Sequence, residues 1–102
     1  MSSLLLEFHQ DARVDVVEAY DWYAERSQSA ADAFQAELQR AGMAIQRSPL
    51  LWGNYLFGTR RYLMKRFPYI VIYRVAEDRI EIIAVIHGRR RPGFWKVRLK
   101  SK

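Results

Sequence analysis

Residues 66–95 constrain the fold more than any other stretch. They hold two strand-length apolar runs, Tyr69 to Val75 and Ile80 to His87, separated by a polar turn from Ala76 to Arg79. β-Branched and aromatic side chains dominate both, and these suit a pleated, buried surface. Nearly continuous apolar character over so short a length predicts paired central strands, covered on one face and at least partly on the other. The second run leads directly into His87, Gly88, the triplet Arg89, Arg90 and Arg91, then Pro92, Gly93, Phe94 and Trp95.

The upstream half reads as material to cover that sheet. Leu4 to Phe8 predicts a first strand, and Asp11 an N-cap for the helix after it. Val16, Val17, Tyr20, Tyr23 and Ala24 recur at helical spacing, with Asp15, Glu18, Asp21 and Glu25 mostly on the opposite side. Trp22 departs from the stripe. Ser29 and Asp32 resemble a capping box for a second helix from Ala30 to Arg47, lined by Ala30, Phe34, Leu38, Ala41 and Ile45. Pro49 stops that helix at Ser48, and the short link between the helices makes them an antiparallel hairpin.

Leu50 to Gly58 is a loop crowded with large apolar side chains, expected to pack under the sheet or across the hairpin end. A partner-binding ridge is the second reading. Thr59 to Phe67 alternates basic and apolar residues as a further strand, and Phe94 to Leu99 reads as an edge strand or a short tail. The order β-α-α-β-β-β predicts an α+β fold over a single domain, 1–102. It consists of an N-terminal strand and an antiparallel helical hairpin packed on a mostly antiparallel twisted sheet.

Charge is divided along the chain. Residues 1–58 hold four Lys/Arg and eight Asp/Glu, a net −4, whereas residues 59–102 hold thirteen and three, a net +10. Such a field attracts anionic partners, either nucleic acid or an acidic protein segment. The absence of cysteine excludes disulfides and thiolate metal sites. No apolar run approaches the ~20 residues of a membrane span. Leu4 to Leu6 lack a basic flank and a cleavage site, so a secretory signal is not expected. A cytoplasmic setting fits.

His87 is a candidate acid or base, with an ordinary pKa near ~6.5. The structural alternative is a histidine that ties the strand end to the backbone or to Tyr73. In an extended segment Arg89 and Arg91 share a face and Arg90 opposes them. Guanidinium forks match phosphate or carboxylate. Arg60, Arg61, Lys65, Arg66 and Arg74 on neighbouring strands extend the basic face. Trp95 is a candidate for base stacking, or for folding back onto the sheet. Metal-ligand clusters, phosphate-binding glycine loops and Ser-His-Asp arrangements are not apparent, so no cofactor is expected.

Several segments together resemble the RelE/ParE superfamily of toxins from type II toxin–antitoxin systems. They are Glu18 to Tyr23, the helix closing in Ser48-Pro49, Arg66 to Arg74, and His87 to Pro92 with Trp95 after it. The resemblance covers about residues 4–98. It implies a toxin of a plasmid-stabilisation module that assembles with a cognate antitoxin as a hetero-oligomer, with Trp22, Trp52 and Tyr55 as antitoxin contacts. RelE-like members cleave messenger RNA on the ribosome, and ParE-like members poison DNA gyrase. The nuclease pattern is incomplete here. Ile70 stands where that branch has an arginine, its paired lysines map to Arg61 and Leu63, and its terminal tyrosine maps to Trp95.

The resemblance therefore points to the ParE branch, a gyrase inhibitor rather than an enzyme. Arg61, Arg66, Arg74, Arg89, Arg90, Arg91 and Trp95 would then form the target-binding or phosphate-binding surface. The alternatives it leaves are an endoribonuclease using His87 and Arg89 catalytically, and a non-toxic member that only binds its antitoxin.

Overall fold

A computed structural model describes residues 4–100. The elements are β1 (Leu5–Phe8), α1 (Gln10–Ala24), α2 (Gln28–Arg47), β2 (Arg60–Leu63), β3 (Tyr69–Val75) and β4 (Arg79–His87). Two 3-10 segments lie at Leu56–Gly58 and Phe94–Lys100. The strands form one sheet in the order β1-β4-β3-β2. β2 with β3 and β3 with β4 are antiparallel, whereas β1 runs parallel to β4. A parallel pair needs a long crossover, and the helical hairpin lies within this one. The expected α+β architecture is present, with a mixed sheet.

The sheet is covered on both faces. On one, Val71, Tyr73, Ile80, Ile82 and Val85 pack with Ala12, Ala19, Phe34, Ala41 and Ile45 of the helices. On the other, Ile72, Ile83, Ala84 and Ile86 pack with Trp95. The register slips once between these layers: Ile72 pairs with Ala84 but Tyr73 with Ile82. Ile83 is the extra residue, and a bulge of this kind turns neighbouring side chains to the same face. Ile83 and Ala84 accordingly share the Trp95 side.

Local details differ from the sequence reading. The N-cap of α1 is His9, whose Nδ1 accepts from the Asp11 amide at 3.0 Å, so Asp11 lies inside the first turn. Ser27, not Ser29, caps α2 by accepting from the Ala30 amide, and its hydroxyl shares a hydrogen bond with Ser29. The packed face of α1 is Ala12, Val16, Ala19 and Tyr23, while Val17 is exposed. Asp15, assigned to the polar side, is largely covered. β2 ends at Leu63, and a turn closed by the Met64 amide on the Tyr69 carbonyl follows.

Phe94–Lys100 is neither an edge strand nor a tail. It folds back as a 3-10 segment that buries Trp95 completely. In the loop before β2, Trp52 packs on Tyr62 as expected, but Leu50 and Leu51 stay exposed.

Candidate target-binding surface at the exit of strand β4

The exit of β4 is fixed by backbone bonds before any side chain is considered. The Gly88 amide donates to the Pro68 carbonyl at 2.7 Å, and the Arg90 amide to the His87 carbonyl at 3.0 Å. His87 Nδ1 accepts from the Arg89 amide at 3.1 Å, and its ring meets Tyr69 edge-on. His87 thus ties the strand end to the backbone, one of its two expected roles. Its aromatic neighbour is Tyr69 rather than Tyr73, whose hydroxyl donates to the Pro49 carbonyl at 2.6 Å.

On this frame Arg89, Arg90 and Arg91 are all exposed. None has a carboxylate partner among the described residues. Arg90 rests its guanidinium 4.1 Å from the Phe94 ring centre. It also borders a cavity of about 400 Å³ lined by Asp15, Trp22, Tyr23, Tyr69 and His87. Arg89 borders a shallower groove beside Leu63 and Ile70. Arg89 and Arg90 therefore border two adjoining hollows at the sheet end.

The other expected cations separate. Arg61 and Arg66 are exposed. Arg61 lies over the Tyr55 ring at 4.6 Å. Arg74 is a structural residue: its Nε donates to Glu81 at 2.7 Å and its Nη1 to the Leu99 carbonyl at 3.2 Å. It joins β3 to β4 and to the 3-10 segment, so it leaves the expected binding set. Trp95 leaves it too, since an indole with 0% exposure has no surface to offer a target.

Of the three aromatics expected to meet a partner, Trp22 is 49% exposed, with Arg26 stacked on it at 3.6 Å. Trp52 is a packing residue whose Nε1 donates to the Ala44 carbonyl at 3.4 Å. Tyr55 is half-buried between Trp95 and Arg61.

Burial raises the phenol of Tyr69, and the neighbouring Tyr23 adds to the effect, so the group beside His87 stays protonated. Glu37 is held below the usual carboxylate range, first by the hydrogen bond from Arg40 and further by the Lys65 amide. It anchors the β2–β3 turn to α2 and has no place in the surface. Among the described residues no cluster of His, Cys, Asp or Glu can hold a metal ion.

The family model for the ParE toxin of type II toxin–antitoxin systems, parDE, matches residues 6–92. The chain belongs to the ParE toxin family. It is 26% identical over 98 residues to Toxin ParE2 of Mycobacterium tuberculosis, in strains CDC 1551 / Oshkosh and H37Rv. That alignment spans 95% of this chain and 93% of the relative. A solved structure of a chromosomal ParDE toxin–antitoxin system from P. aeruginosa superposes with a TM-score of 0.74 at 19% identity, covering 82% of this chain and 95% of that one. At that identity the likeness speaks for the fold. In this ParE-family chain, no helix among the described residues is long and apolar enough to cross a membrane.

One feature escaped the sequence reading. Asp15 and Arg98 pair across the fold, behind the exit segment. Neither lies in a motif, and the only signal was a carboxylate beside the apolar residues of α1.

Proposed function

We propose that this ParE-family chain acts as a single domain in the cytoplasm and inhibits DNA gyrase by direct protein contact, without catalysis. A cognate antitoxin neutralises it in a type II, plasmid-stabilising module. Membership of the ParE family supports the class, and the likeness to a chromosomal ParDE toxin–antitoxin system supports an antitoxin partner. The observation that carries the reading is the exit of β4, where three exposed arginines, without carboxylate partners among the described residues, stand on a backbone-locked turn. Guanidinium groups on an ordered backbone need lose only their side-chain freedom, about 0.5–1.5 kcal/mol each, when they engage carboxylates of a target.

The antitoxin meets the chain by complementary charge and by ordering on binding. Trp22 at the end of α1 is a contact that the exposure permits. Replacing Arg89, Arg90 and Arg91 together by alanine should abolish growth inhibition while the protein stays folded. Growth inhibition that survives with folded protein contradicts the assignment. Cleaved messenger RNA lost in His87→Ala would instead establish an endoribonuclease.

A further inference from the structure

Helix α1 is apolar on two sides, and the fold covers one of them. Ala12, Val16, Ala19 and Tyr23 pack into the core. On the outer side Val14 and Val17 are 49% and 57% exposed. β-Branched residues lose side-chain freedom in a helix, so at these solvent-facing positions they weaken α1 and gain little packing within the chain. Beside them lies a hollow of about 350 Å³ between α1 and α2, lined by Val16, Val17, Tyr20 and Phe34. One wall of it is fixed in advance: Gln28 donates to the Tyr20 hydroxyl at 2.9 Å and to Asp32 at 3.0 Å.

The charges that flank this stripe lack partners of their own. Arg13 and Asp21 are exposed and have no ion-pair partner among the described residues. Neither meets an opposite charge three or four positions along the helix, and Asp21 lies between Glu18 and Glu25. Like charges at that spacing are unfavourable. Val17 sits midway, four residues from each. Four residues is just over one helical turn, so Arg13, Val17 and Asp21 share the outer side.

We infer that this face of α1 docks a second copy of the chain, antiparallel, about a two-fold axis at Val17. Such an axis sets residues equally far before and after Val17 at the same level. Arg13 of each copy then stands level with Asp21 of the other, and Val14 with Tyr20. The stripe is basic at one end, apolar in the middle and acidic at the other, which is the self-complementary order that a two-fold contact requires. Charge order also decides the occupant. An acidic partner segment would meet Arg13 but run against Glu18, Asp21 and Glu25, whereas a second copy satisfies both ends at once.

The test is sedimentation equilibrium of the purified chain from about 1 to 500 μM, the range in which a small interface associates. The mass should rise from monomer to dimer and stop there. Val17→Lys puts a good helix former at an exposed position, so it should stay folded by circular dichroism. It should weaken dimerisation by about tenfold or more, since the axis brings the two substituted positions together. Arg13→Asp and Asp21→Arg, each alone, oppose like charges across the axis and should stay monomeric. Mixed in equal amounts the two variants should dimerise, because each supplies the charge the other lacks.

A mass that stays monomeric, a mass that grows past the dimer, or a mixture no better than its components would overturn the inference. So would a monomeric chain whose Val17→Lys variant loses its antitoxin, which assigns the face to that partner. None of these residues belongs to the exit of β4, so the outcome is independent of the gyrase reading.

Discussion

Arg98 donates to Asp15 through both terminal nitrogens, at 2.7 and 3.2 Å, with the two side chains only 12% and 10% exposed. The pair also finishes the sheet. Pairing of β1 with β4 ends at Ile82. Beyond it, the Val85 amide donates to Asp15 at 3.0 Å and the Ile83 carbonyl accepts from Arg98 at 3.0 Å. Two side chains thus take the place of a missing strand, since buried backbone groups need partners.

Removing one partner from this pair leaves the other charge buried. Asp15→Ala should cost about 3–5 kcal/mol, whereas changing both residues to leucine should cost less. Urea denaturation of the two variants checks the order.

Trp95 should behave as a core residue. Trp95→Ala should destabilise by about 3–5 kcal/mol. Trp22→Ala, at a half-exposed ring, should stay within about 1 kcal/mol of the parent. Similar losses in thermal denaturation for both would contradict this placement.

These two residues also mark how far the sequence could be read. The runs Tyr69 to Val75 and Ile80 to His87 were legible because apolar continuity reports burial directly, and the structure places strands there within one residue. The caps were legible only as regions. Ser27 and Ser29 are both competent, and the choice rests on a turn whose geometry no short pattern encodes. Asp15 was hidden because a helical carboxylate reads as solvent-facing, and its partner lies 83 residues away. Arg61 and Arg74 looked alike in sequence, yet an acceptor on the adjacent strand, Glu81, makes one of them structural. The arginine triplet was visible as a run, but its lack of a carboxylate partner among the described residues was not.

Glu37 should give the protein an acid-side dependence. Its folded-state pKa is depressed, chiefly by the hydrogen bond from Arg40. Its contribution is therefore fully present above the ordinary glutamate value of about 4.3. It is lost as pH falls below that value and through the depressed one. Glu37→Gln should lower stability at neutral pH and flatten the decline on acidification, read from denaturation midpoints between about pH 2 and 7. An unchanged acid limb would contradict the role.

Gly93 should resist substitution. Its φ is 84°, and an added Cβ would stand 3.2 Å from Phe57 Cε2. Gly93→Ala should cost about 1–2 kcal/mol from the backbone alone. It should also disturb the seating of Phe57, which circular dichroism in the aromatic region would register.

A supercoiling assay with purified protein reads out the proposed inhibition of gyrase by contact. Inhibition should be reversed by adding the cognate antitoxin and be absent in the Arg89→Ala, Arg90→Ala, Arg91→Ala triple variant. Undiminished supercoiling at a large excess of folded protein would contradict it.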